Sequence, residues 1–168
     1  NKVLMHYLTD TNLNWQLIAD KDSKLKQLSD LSDKIVAMTR FSGTDLLTDM
    51  AVKKAKPKYQ VFRVQVNDVL VRLAMLQNHE IDAYWFAEPQ ITKALAADNN
   101  SLFNSEDAGV HLGVVAIMDK VRRQDEEAAF AEAYDKAVEQ INKNGVKYYS
   151  ALIQKYMKVD ESVVRALP

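Results

Sequence analysis

Between residues 34 and 95 the chain alternates, three times over, a strand-length apolar run with a stretch of helical spacing, and this rhythm constrains the fold more than anything else in it. Residues 34–39 (KIVAMT) form the first run. Ser42, Gly43, Thr44 and Asp45 then give a turn and helix start, with Leu46, Leu47, Met50, Ala51 and Lys54 at helical spacing. Pro57 ends that helix, and residues 59–66 are rich in aromatic and β-branched side chains. Asn67 and Asp68 supply capping groups for a second helix whose inward stripe is Val69, Leu73 and Leu76. Residues 81–86 (IDAYWF) make a third strand, after which Glu88 and Pro89 are expected to open a third helix. Strands joined by helices of this length predict right-handed βαβ units and a parallel sheet, so the expected class is α/β.

The flanks do not continue the repeat. Residues 15–19 and 114–118 read as extended segments. Residues 125–144 read as an amphipathic helix with acids in its first turn, the stripe Phe130, Tyr134, Val138 and Ile141, and an Asn144, Gly145 stop. Shorter helices are expected at 148–157 and 161–167.

With 168 residues, 22 basic and 23 acidic, the net charge is −1, which gives no reason to expect a polyanion partner, and nucleic acid is not expected. No apolar run approaches the ~20 residues of a spanning helix. The absence of cysteine excludes disulfides, thiol nucleophiles and Cys-ligated metals. His6, His79 and His111 are scattered, so there is no HExxH or other local metal signature. Nor is there a Gly-x-Ser-x-Gly elbow, a Walker loop or a Gly-x-Gly-x-x-Gly fingerprint. No catalytic residue, metal or cofactor is expected. The chain opens at Asn1 and runs straight into the strand-like residues 3–8, which reads as a processed or truncated chain.

In an open parallel sheet, ligands bind along the carboxyl edge of the strands. Three junctions carry polar or aromatic residues there. In the first, the Ser42 and Thr44 hydroxyls beside first-turn amides can hold an anion, Gly43 allows close approach, and Arg40 can add a bidentate donor. The same residues can equally be a plain helix cap with Arg40 solvated. In the third, Trp85 and Phe86 are either core or a stacking surface, and Glu88 is either a cap or a ligand acceptor. Asp82, inside a strand, reads as a structural acceptor for backbone amides at the preceding helix-to-strand turn.

Together these junctions resemble a known pattern. Residues 28–36 (LSDLSDKIV) are similar to the segment that enters the second lobe of type 2 periplasmic solute-binding proteins of ABC transporters. The likeness is greatest to the nitrate, sulfonate, taurine and thiamine-precursor group. Residues 80–89 (EIDAYWFAEP) are similar to that family's iDA…EP box, residues 110–118 to its return strand, and Phe130, Tyr134, Ala137, Val138, Ile141 and Asn142 to its helix. Ser32 and Asp33, and again Asn78 and His79, stand where glycine is usual.

The resemblance implies a fragment: residues 1–27 as the end of the first lobe and hinge, 28–110 as the second lobe, and 111–168 as the return hinge strand and C-terminal helices of the first lobe. It implies an exported, non-enzymatic receptor of the periplasm or cell surface, which captures a small organic or anionic solute in an interlobe cleft. ABC permease subunits would be its partners, and a missing N-terminal lipid anchor its tether. Ligand contacts carried over on the matching positions are Thr39, Arg40, Ser42, Gly43, Thr44, Trp85 and Glu88. The same architecture also serves LysR-type effector-binding domains and enzymes of the thiamine-precursor and menaquinone type, which are the alternatives.

Overall fold

The computed structural model describes residues 3–8, 14–110, 113–119 and 123–168. The chain divides into two compact units: Asn12–Leu112, and a second made of Asn1–Thr11 with Gly113–Pro168.

The continuous unit is built on a five-stranded mixed sheet. Its strands are β2 (Gln16–Ala19), β3 (Ile35–Met38), β4 (Phe62–Gln65), β5 (Ala83–Phe86) and β6 (Asn100–Asn104), in the spatial order β4-β3-β5-β2-β6. As the alternation predicts, β3 runs parallel to both β4 and β5. Between β3 and β4 lies α1 (Gly43–Ala55), between β4 and β5 lies α2 (Val69–Gln77), and α3 (Gln90–Leu95) follows β5. Because β4 and β5 flank β3 on opposite sides, two right-handed crossovers must put α1 and α2 on opposite faces of the sheet. The side chains of β5 agree: Trp85 meets Thr48 of α1, while Tyr84 lies under Arg72 of α2. Strand β5 is therefore buried along its whole length.

Two features depart from the sequence reading. Strand β6 was not expected, and β2 is inserted antiparallel between β5 and β6. Residues 16–19 thus belong to the sheet of the continuous unit, and the boundary drawn at residue 28 falls inside it. The physical reason is pairing: Leu17, Ile18 and Ala19 are buried by partners on both sides.

The other unit pairs β1 (Val3–Leu8) antiparallel with β7 (Val114–Met118), from Val3 opposite Met118 to Leu8 opposite Val114. Helix α4 (Gln124–Asn144) matches the expected span, followed by α5 (Ser150–Met157) and α6 (Glu161–Ala166). Val159, Val163, Val164 and Leu167 form a small core with Ile153 against it, whereas Phe130, Val138 and Ile141 of the α4 stripe remain partly exposed. No helix among the described residues is long and apolar enough to cross a membrane. His6 falls within β1, and His111 lies outside the described residues.

Candidate ligand site at the carboxyl edge

The three parallel strands of the continuous unit point their carboxyl ends to one edge, and the start of β2 and end of β6 reach the same edge, with Gln16 opposite Phe86 and Asn104. The connection from β3 runs outward to β4 and the next returns across β3 to β5, so the carboxyl ends of β3 and β5 bracket a topological switch point, where open α/β sheets hold their ligands.

On the β3 side the turn is tightly wired. Ser42 is the N-cap of α1, its hydroxyl accepting from the Thr44 amide at 3.2 Å and donating to the Thr39 carbonyl at 2.7 Å. The buried Thr44 hydroxyl accepts from the Thr39 amide at 3.1 Å and lies 2.9 Å from Ser42 Oγ. Arg40 is paired with Asp45 at 3.6 Å, and Arg63 of β4 lies 3.5 Å from the same carboxylate. Thr39, Arg40, Ser42, Gly43 and Thr44 therefore share one hydrogen-bonded turn, and the capping role of Ser42 is realised. Between them stands Phe41, 94 % exposed, at φ 58°, with its amide held by Asp45 Oδ2 at 2.9 Å and the Arg40 guanidinium 5.5 Å from its ring centroid. A bulky residue in left-handed backbone is strained, and such strain gathers at functional sites.

At the third junction Trp85 takes the core reading and Glu88 the capping one. Trp85 is fully buried, with its indole N–H donating to Thr48 Oγ1 at 2.9 Å and its ring edge-on to Phe103 at 6.0 Å. Both faces of the sheet are covered, so Trp85 is core and offers no stacking surface in this structure. The third helix begins at Gln90 rather than at Glu88, with Pro89 as its N-cap. Glu88 Oε2 accepts from the Thr92 amide at 3.1 Å and from its hydroxyl at 2.8 Å, the capping role of its two readings.

On the β4 side Asp68 Oδ1 accepts from the amides of Leu70 and Val71 at 2.8 and 3.0 Å, capping α2 as its position predicts. One turn further on, Arg72 is buried, and Nη2 donates to the Asn67 carbonyl at 3.3 Å. Its guanidinium lies 4.3 Å from the Tyr84 ring centroid. Burial pulls Arg72 below its usual range, opposed by Tyr84 and Asp68. Burial likewise pushes the Tyr84 phenol up to about 12, with Arg72 pulling the other way. Neither residue was read as a site residue; the only sequence signal was a cation at a core-facing position of an otherwise apolar helical stripe.

At the opposite edge, Asp20, Asp22 and His79 bring ligand atoms within 4.8 Å of one another. The buried Asp20 accepts from the Asp22 amide at 2.7 Å and pairs with His79 Nδ1, and His79 Nε2 lies 3.7 Å from Asp22. These mutual bonds already satisfy the cluster, and a cation would have to displace them. Local spacing could not reveal a grouping of residues 59 positions apart. Asp82 is the structural acceptor expected, but its carboxylate serves the Ile35 amide of β3 at 2.8 Å and pairs with Lys34 at 3.3 Å.

No protein-family model matches the sequence, and no curated protein does. Solved structures do match. The periplasmic aliphatic sulphonate binding protein SsuA from Escherichia coli is 16% identical at a TM-score of 0.71, over 97% of this chain and 54% of that one. A ligand-binding component of an ABC-type import system from Staphylococcus aureus, with zinc bound, is 20% identical at 0.70, over 96% and 57%. The alkanesulfonate-binding protein SsuA from Xanthomonas axonopodis pv. citri, bound to MOPS, is 15% identical at 0.62, over 97% and 57%. The fold is thus that of periplasmic binding proteins, and the chain spans about half the length of these structures.

Proposed function

We propose that the chain is part of an exported receptor that captures a small organic or anionic solute for an ABC importer, with permease subunits as its partners. The observation that carries this reading is the switch point itself. In a fold shared with import-system binding proteins, the β3 carboxyl end carries Thr39, Arg40, Ser42 and Gly43 together with the outward Phe41 ring. Donors at the start of α1 suit an anion, and the exposed ring suits an apolar or planar body beside it. Thr44 shapes the turn from beneath. Glu88 stays at the edge as a helix cap, and Trp85 supports the sheet from within the core.

The test is native mass spectrometry of the chain as purified, followed by calorimetry with the small molecule released on denaturation. The reading expects a bound species of low mass and saturable 1:1 binding that weakens in Phe41→Ala and Gly43→Arg. Binding left unchanged by both substitutions would remove the β3 turn from the site.

A further inference from the structure

Strand β4 ends the sheet on one side, and among the described residues no strand pairs with its outer edge. The amides of Phe62 and Val66 donate inward, to the carbonyls of Lys34 at 2.8 Å and Met38 at 3.0 Å. By alternation, the amides and carbonyls of Arg63 and Gln65 point outward, away from β3. Beside them runs an open groove of about 870 Å³, lined by residues 56–57 and 59–64 with Arg40 and Val52. Tyr59 and Phe62 stand in it 53 % and 47 % exposed. Three cations, Arg40, Lys56 and Arg63, line the groove, and no acid does. Asp45 and Asp49 of α1 pair with the two arginines, whereas Lys56 and the neighbouring Lys58 have no carboxylate partner among the described residues. Cations on an edge strand ordinarily guard it against a second copy of itself, since two-fold pairing sets like charges opposite one another. That guard does not account for two exposed aromatic rings along a groove of this volume. The charge that turns away a copy of β4 favours a strand of opposite sign.

We propose that the outer edge of β4 is a docking site for a partner protein, which adds an extended acidic segment to the five-stranded sheet as a further strand. The segment's backbone pairs with the outward amides and carbonyls of Arg63 and Gln65, and its side chains cover Tyr59 and Phe62. Its carboxylates meet Lys56 and Lys58. Main-chain pairing supplies the affinity whatever the side chains are, and the lysines set the sign of charge that the partner must carry. The site takes a protein segment and does not depend on what the carboxyl edge of the sheet captures.

The experiment is fluorescence polarisation of the full chain with a labelled peptide, Thr-Glu-Val-Glu-Val-Glu-Thr. Two counterparts accompany it, one with every internal amide N-methylated and one with lysine in place of glutamate. Hydrogen exchange followed by NMR locates the contact. The acidic peptide is expected to bind saturably, to weaken as salt is raised, and to slow exchange of the Arg63 and Gln65 amides at least about tenfold. The methylated peptide should bind at least about tenfold more weakly, having lost its backbone donors. Gln65→Pro should have the same effect, since proline is tolerated where the amide faces away from the ladder. Lys56→Glu combined with Lys58→Glu should cost about tenfold in affinity for the acidic peptide. Absence of saturable binding overturns the proposal, as does equal binding of the methylated or the lysine peptide. Protection that leaves Arg63 and Gln65 unchanged overturns it too. Should Gln65→Pro fail to fold, the methylated peptide and the exchange pattern decide alone. If protein concentration by itself slows exchange of these two amides, the edge belongs to a second copy and the acidic partner is refuted. An oligothymidylate that binds more tightly than the peptide assigns the surface to nucleic acid, with the same result.

Discussion

Asp82 joins two strands of the sheet through its side chain, and the consequence of removing it can be worked out. Its Oδ2 accepts the amide of Ile35, the first residue of the central strand β3, at 2.8 Å, and its Oδ1 pairs with the partly exposed Lys34 at 3.3 Å. Asp82→Ala leaves that amide without an acceptor, at a cost of about 1–3 kcal/mol. Loss of the solvent-screened Lys34 pair adds no more than about 0.5 kcal/mol. Asp82→Asn keeps an oxygen for Ile35 and loses only the charge, so it should cost under about 1 kcal/mol. Urea unfolding followed by tryptophan fluorescence is a clean assay, because both tryptophans, Trp15 and Trp85, lie in the continuous unit and report on it alone. With a slope of about 1.5 kcal/mol per molar urea, Asp82→Ala should lower the midpoint by about 1–2 M, and Asp82→Asn by less than half as much. An alanine variant within ~0.3 M of the wild type would refute the reasoning, as would an asparagine variant no better than alanine.

Three further outcomes are expected. Phe41→Gly relieves a left-handed backbone and removes an exposed ring, so stability should hold or rise by up to about 1 kcal/mol, while calorimetry shows solute affinity falling about fivefold. Thr48→Val takes away the acceptor of the buried Trp85 indole, and urea unfolding should show a loss of about 1–3 kcal/mol; a neutral result would mean that the indole finds another partner. Since the Tyr84 phenol is raised to about 12 in the folded state, the unfolded chain releases this proton first as pH climbs. Its stabilising contribution is therefore complete below pH 10 and lost between 10 and about 12. Spectrophotometric titration should show one of the seven tyrosines ionising last, and Tyr84→Phe should remove that late step.

What could be read from the sequence is what local chemistry dictates. Ser42 and Asp68 cap their helices because their side chains reach amides two or three residues away, and the parallel arrangement of β3, β4 and β5 follows from the spacing of apolar runs. Long-range pairing was not legible. Strand β6 reads Asn-Ser-Leu-Phe-Asn, too polar to announce itself, and β2 earns its place only by meeting residues 64 or more positions away. Trp85 stood at a plausible ligand edge, but a sheet covered on both faces turned it inward. Arg72 was passed over because helical periodicity sorts residues into inward and outward, and an inward arginine looks like a lapse in the stripe until its surroundings are seen. The exposure of Phe41 depends on a left-handed turn that points its ring outward, which local sequence pattern does not specify.

The way one unit interrupts the other has a consequence for the order of events during synthesis. The partner of Leu8 in β1 is Val114, 106 residues later. At ~5–20 residues per second, β1 spends roughly 5–20 s on a ribosome with its hydrogen-bonding edge open, while the whole of Asn12–Leu112 emerges and can close its own sheet. The pairing of β1 with β7 can therefore form only after Asn12–Leu112 has been made, and a chain kept unfolded until its synthesis ends would never pass through the stage at which β1 waits for β7.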